Sequence, residues 1–216
     1  MKIPSHFSAH ARGFSLVELL VVLAVISIVS TLTIMAFRGV NSALNLSSAS
    51  QQVSAELTNA RQTALTLDET VQVRFYQFPD TTGASTTKEF QAMQTFETRD
   101  NPPQPLDKIV YLPSNIMISG SGTYSPPLSS SNVTPTTPIS TDPFINLNGI
   151  GQNYTYVAVA FKSNGTIDTT ALSGSWTGSW FITLFEKKYA SATNLVNYTT
   201  ISIDPQDGRL RIFQPN

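Results

Sequence analysis

Two shifts of pattern along these 216 residues predict an α+β chain. An uncharged apolar run from Leu19 to Phe37 leads into a stretch with helical spacing, so a long helix comes first. Past Asp68 the hydrophobic period switches to two and recurs in several short segments. One long N-terminal helix followed by consecutive antiparallel strands is an α+β arrangement.

The leader comes before the helix. Met1 to Gly13 is short, polar and basic, with Lys2, Arg12, His6 and His10. A secretory signal carries its apolar stretch ahead of the cleavage site. Here the apolar run follows the small residue Gly13, so a cut there would keep the helix. Leu19 to Phe37 crosses a bilayer core at about 1.5 Å per residue, and Phe14 to Val17 leave room for tilt. Ser27, Ser30, Thr31 and Thr33 are expected to bond back to helix carbonyls. Glu18 stands at the mouth of this segment. A charge at the edge of hydrocarbon is costly, so a specific partner is expected for it. Lys2 and Arg12 on the near flank outnumber Arg38 on the far one, which predicts a cytoplasmic N-terminus and a body on the opposite side. A plain signal anchor would leave Gly13 and Glu18 unexplained.

Beyond the apolar run, Leu46, Ser50, Val53, Leu57, Ala60, Ala64 and Leu67 recur at four- and three-residue steps, while Gln51, Gln52, Glu56, Asn59 and Gln62 take other faces. This predicts an amphipathic stalk whose stripe packs on a sheet. The alternative is a separate helix after a break near Gly39 to Asn41, with Gly39 the soft point. Strands are expected at Val71 to Phe75, Phe90 to Phe96, Lys108 to Leu112, Tyr154 to Phe161, Trp180 to Phe185, Thr199 to Ile203 and Leu210 to Phe213. Asp80-Thr81-Thr82-Gly83, Ser163-Asn164-Gly165 and Pro205-Gln206-Asp207-Gly208 supply turns. Gly120 to Asn153, rich in Ser, Thr, Pro, Gly and Asn, reads as a long surface loop. The expected organisation is a leader at 1–13, a transmembrane and assembly helix at 14–38, a stalk helix at 39–68, and a β-rich domain at 69–216 that carries the 120–153 loop.

Composition narrows the chemistry. The net charge is −1, and losing Lys2 and Arg12 with the leader leaves 11 basic against 14 acidic residues, a net −3. That balance argues against a generally basic nucleic-acid surface. There is no Cys, and the only two His lie in the leader. The mature chain would then lack a Ser-His-Asp or Cys-His nucleophile and ordinary zinc ligands. No enzyme, cofactor or metal site is expected. Asp204 and Asp207 beside Gly208 read as a turn, because Ca²⁺ wants more hard oxygens than two carboxylates provide. Trp176, Trp180, Phe181 and Phe185 read as core. Arg209 and Arg211 share one strand face and are candidates to hold phosphate or a partner's carboxylates.

Gly13-Phe14-Ser15-Leu16-Val17-Glu18-Leu19-Leu20 resembles the processing signal of prepilins and pseudopilins of type IV pili and type II secretion. The resemblance implies cleavage between Gly13 and Phe14 by prepilin peptidase, and N-methylation of Phe14. It also implies that Glu18 pairs with the N-terminal amine of an adjacent subunit, which would relieve two charges costly in lipid. Many members carry Pro along this helix; here none lies between Pro4 and Pro79, so no proline kink is expected. Ala55-Glu56-Leu57-Thr58-Asn59-Ala60-Arg61-Gln62-Thr63-Ala64 and the closing Asp207-Gly208-Arg209-Leu210-Arg211-Ile212 resemble the GspH/FimT group of minor pilins. This implies a long helix packed on a two-sheet antiparallel β-domain, pilin-like. It also implies a structural subunit held in the bacterial inner membrane by one span, with a periplasmic body. Its partners would be prepilin peptidase and other pilins met through the N-terminal helix. The alternative is a FimT-like minor pilin that binds DNA for uptake through Arg209 and Arg211.

Overall fold

The computed structural model describes residues 15–78, 89–100, 102–129, 134–135, 154–169, 180–190, 192 and 194–214, with backbone alone for 31–40 and 134–135. The chain divides into two compact units, Met1–Asn41 and Ser42–Asn216. Helix α1 (Leu16–Leu67, 52 residues) supplies residues to both, and its helical backbone runs through Gly39 and Asn41. The alternative of a break at 39–41 is therefore corrected. Gly loses about 1 kcal/mol against Ala in a helix interior, too little to interrupt so long a run.

In the first unit every side chain from Ser15 to Ser30 is exposed, with Leu16 at 81% and Ile28 at 62%. Ser27 Oγ donates to Leu23 O at 2.8 Å and Ser30 Oγ to Ile26 O at 2.7 Å, so both hydroxyls are satisfied within the helix, as expected. Among the described residues no helix is long and apolar enough to cross a membrane. The described side chains of the apolar run end at Ser30, and the remainder of the span expected to 38 lies outside them.

The second unit is built on an antiparallel sheet. Its strands are β1 (Val71–Gln77), β2 (Phe90–Glu97), β3 (Gln104–Pro105), β4 (Val110–Tyr111), β5 (Ile116–Ile118), β6 (Thr134–Pro135), β7 (Thr155–Phe161), β8 (Phe181–Glu186), β9 (Tyr198–Ile203) and β10 (Leu210–Phe213). They run β10-β9-β8-β5-β2-β1-β7-β6, with β3 and β4 also on β2. The expectation of two sheets is corrected: the described strands form one hydrogen-bonded sheet. The joint is β5, which pairs with β8 through Ile116↔Glu186 to Ile118↔Leu184 and meets β2 at Phe90↔Ile118. Three apolar residues with no alternation leave no period-two signal, so β5 was not expected.

Along α1 the stalk stripe does pack on this sheet. Leu46, Ser50, Val53, Leu57, Ala60 and Ala64 are buried, and Ala49 joins them. Leu67 does not, at 37% exposed on the last turn. The stripe meets Val71, Val73 and Phe75 of β1, Val157, Val159 and Phe161 of β7, Ile182 and Leu184 of β8, and Ile201 and Ile203 of β9 in one core. Trp180 belongs to it as expected; Trp176 lies outside the described residues. The opposite face of β1 and β2 is covered too. Tyr76, Phe78, Ala92, Phe96 and Tyr154 form a second cluster. There Arg74, 3% exposed, lies over the Phe96 ring at 3.9 Å and the Tyr156 ring at 4.7 Å.

The expected surface loop is partly buried near its start, although Ser121, Gly122 and Thr123 are exposed. Gly120 and Ser125 are buried, and so is the short 3-10 turn Pro126–Leu128; Ser125 Oγ accepts the Thr183 N–H at 2.9 Å. Leu128 enters the main core. Residues 130–133 and 136–153 lie outside the described residues, as does the Asp80 to Gly83 turn.

Candidate functional site

The N-terminal candidate begins at Ser15, since Gly13 and Phe14 lie outside the described residues. Ser15 precedes the first helical residue, and its Oγ accepts the Glu18 N–H at 3.2 Å. Glu18 Oε2 in turn accepts the Ser15 N–H at 3.3 Å. These two bonds make a reciprocal capping box, Ser-x-x-Glu, which satisfies two N–H groups that a helix start leaves open. A carboxylate here also meets the positive end of the helix dipole. The signal was present in the sequence as Ser15-Leu16-Val17-Glu18, but reading Glu18 only as a membrane-edge charge passed over it. Within one chain, then, Glu18 has a local role: it is held at the helix mouth by its own backbone.

The second candidate is the β9–β10 hairpin. Its turn is closed by Gly208 N–H to Asp204 O at 2.7 Å and by Asp204 N–H to Arg209 O at 2.9 Å. Asp204 Oδ1 accepts the Gln206 N–H at 2.9 Å, and Asp207 Oδ1 accepts the Arg209 N–H at 2.8 Å. Both carboxylates thus organise the turn. Gly208 has φ +66°, and a Cβ there would sit 2.4 Å from the Gly165 carbonyl oxygen, so only Gly fits.

Arg61 holds this turn to α1. Its Nε donates to Asp207 O at 2.8 Å and to Gly165 O at 3.3 Å. One side chain of the stalk therefore pins two turns that are far apart in sequence. Helical periodicity did not single it out, because Arg61 lies beside the apolar stripe and its partners are backbone carbonyls with no side-chain signature.

Arg209 and Arg211 both line a groove of about 410 Å³, together with Trp180, Phe181, Ser202 and Phe213. Register explains the assembly: Phe181, Ser202 and Arg211 lie side by side across β8, β9 and β10. Arg209 is 79% exposed and its Nε stands 3.2 Å from Asp207 Oδ2. Asp204 also lines the groove. Two arginines beside two carboxylates leave little surplus positive charge for a phosphate backbone. The described residues include no cluster of metal-ligating side chains.

Residues 8–34 match the family described as the prokaryotic N-terminal methylation motif, and the chain carries that motif. The match includes Gly13, Phe14, Glu18 and the first part of the apolar run. Among solved structures, the chain is similar to the minor pseudopilin EpsH from the type 2 secretion system of Vibrio cholerae. That similarity has a TM-score of 0.41 at 10% identity, and covers 79% of this chain and 98% of that one. No curated protein matches the chain.

Proposed function

We propose that this chain is a structural subunit, a minor pilin or pseudopilin, built into a type II secretion pseudopilus or a type IV pilus through its N-terminal helix. The observation that carries the reading is the methylation motif over residues 8–34. In this reading prepilin peptidase cuts between Gly13 and Phe14 and methylates the Phe14 amine. Before assembly the chain sits in the inner membrane with its leader in the cytoplasm and the β-domain in the periplasm. The exposed apolar surface from Leu16 to Val29 supports this, because such a surface is satisfied by lipid or by neighbouring helices. Glu18 then has two successive partners. In the single subunit its carboxylate caps its own helix; on assembly the amine of a neighbour's Phe14 replaces a neutral N–H with a charge-assisted bond.

Replacing Gly13 with Trp tests the processing step. The expected outcome is a chain that keeps residues 1–13 in cells containing the peptidase, seen by intact-mass measurement. Normal loss of the leader from that variant overturns the reading. The FimT-like alternative rests on the shared groove of Arg209 and Arg211. It predicts salt-sensitive DNA binding that disappears in the Arg209→Ala, Arg211→Ala double variant, measured by mobility shift over a salt series.

A further inference from the structure

Among the described strands the path of the sheet ends on β10, which has β9 on one side and an open edge on the other. At the far end of the path β6 is two residues long and includes a proline, so that edge is blunted. The hairpin bonds fix which groups of β10 face outwards. Asp204 N–H donates to Arg209 O, and the same register sets Ser202 beside Arg211 and Thr200 beside Phe213. Bonded and non-bonded pairs alternate in an antiparallel ladder, so Leu210 and Ile212 turn their N–H and C=O away from β9. Ile203, opposite Leu210, accordingly sends its own N–H the other way, to Trp180 O. Four backbone groups of β10 therefore point out of the sheet. Ile212 and Phe213 beside them are 42% and 55% exposed.

Side-chain chemistry narrows what can dock there. Leu210 and Ile212 continue the rows of Ile203 and Ile201, which belong to the main core. Arg211 and Phe213 lie on the other face, in rows with Ser202 and Thr200. Arg209 is engaged with Asp207, whereas Arg211 is exposed and forms no ion pair among the described residues. A strand laid along β10 sets one residue opposite Arg211 in a non-bonded pair, the closer of the two spacings. A carboxylate at that position meets the guanidinium. The residues on either side of it face Leu210 and Ile212 and extend the apolar rows. A second copy of this chain fits poorly. The register in which it uses all four outward groups puts Arg211 directly opposite Arg211, and like charges so placed destabilise a strand pair.

We propose that β10 is a docking edge for an extended segment of another protein, one that carries an acidic residue flanked by two apolar ones. Main-chain bonds to Leu210 and Ile212 hold the segment, and Arg211 selects its charge. The proposal does not rest on assembly into a filament, and it gives Arg211 a role other than contact with DNA.

The test uses the full chain in detergent micelles and the peptide Ser-Thr-Val-Glu-Val-Thr-Ser, followed by fluorescence anisotropy of a labelled copy and by amide hydrogen exchange. Near saturation the peptide should slow exchange at Leu210 and Ile212 about tenfold, with less change at Arg211 and Phe213, which already bond to β9. N-methylation of both valines removes the N–H groups that reach Leu210 O and Ile212 O, and should abolish binding. N-methylation of the glutamate, whose N–H points away from β10, should leave binding intact. Arg211→Glu should weaken binding about fivefold, and the same peptide with Lys in place of Glu should recover it. Absence of slowing at Leu210 and Ile212 with peptide up to about 1 mM overturns the proposal. Equal loss of binding with either N-methylated peptide does so too, because the main chain would then not be the contact. Slowing that grows with protein concentration alone assigns the edge to a second copy. Slowing by a DNA duplex but not by the peptide assigns the arginines to nucleic acid, and either result overturns the docking of a protein segment.

Discussion

Leu16 to Ser30 and Leu46 to Ala64 are both helix, yet every side chain of the first stretch is exposed, whereas the second buries one stripe against a sheet. The first is apolar almost all round, so its side chains select no single face, and nothing in the same chain covers it among the described residues. The second alternates polar and apolar positions at helical spacing, and its partner is already present in the same chain. The same backbone geometry therefore serves two purposes. Periodicity, and not apolar content, separates the part that the fold consumes from the part that it leaves available.

Deleting side-chain volume in the two stretches sharpens this contrast most. Leu57→Ala should destabilise the β-domain by roughly 2–5 kcal/mol, because Leu57 is fully buried and leaves a cavity. Leu23→Ala, at an exposed position, should stay within about 0.5 kcal/mol in the same thermal or denaturant titration. Comparable losses at the two sites would break the comparison. The Arg61 clamp comes next. Gly208→Ala forces a left-handed backbone on a residue with a Cβ and should cost roughly 1–3 kcal/mol. In the same titration Arg61→Ala, which frees two turns, should lose a similar share of stability; retention of wild-type stability would show that the turns hold without α1. The smallest effect belongs to the helix mouth. Ser15→Ala removes half of the capping box and should cost about 1 kcal/mol of local helix stability. Faster amide exchange at Glu18 and Leu19 would report it, with Thr95 unchanged.

Several features were legible because each carries a local signal. The buried stalk positions follow from spacing, the turns from Gly165 and Gly208 at positive φ, and strands β1, β2, β7, β8, β9 and β10 from their apolar runs, although burial alternates regularly only in β9. Other features had no such signal. Strand β5 is apolar without alternation, and β3 is two residues long with a proline. The start of the 120–153 segment looked like a surface loop, but Leu128 and two prolines are buried. Small, polar and proline residues fill gaps in a core as readily as they cover a surface, and composition does not distinguish the two. Arg74 is a charged residue between the apolar Val73 and Phe75, yet aromatic rings from β2 and β7 lie against it.

By itself the sequence determined the order of helix and strands, the apolar run behind Gly13 and the confinement of both His to the first 13 residues. These are properties of neighbouring residues, set by local sterics and by period. Only the tertiary structure decided that the strands join in one sheet, that Arg61 holds the Asp207 turn, that Arg209 and Arg211 share a groove with aromatic rings, and that Thr95 reaches both Glu56 and Asp107. Each of these is a contact between residues distant in the chain. Its energy depends on burial and on distances of a few ångströms, which appear only once the chain has closed on itself.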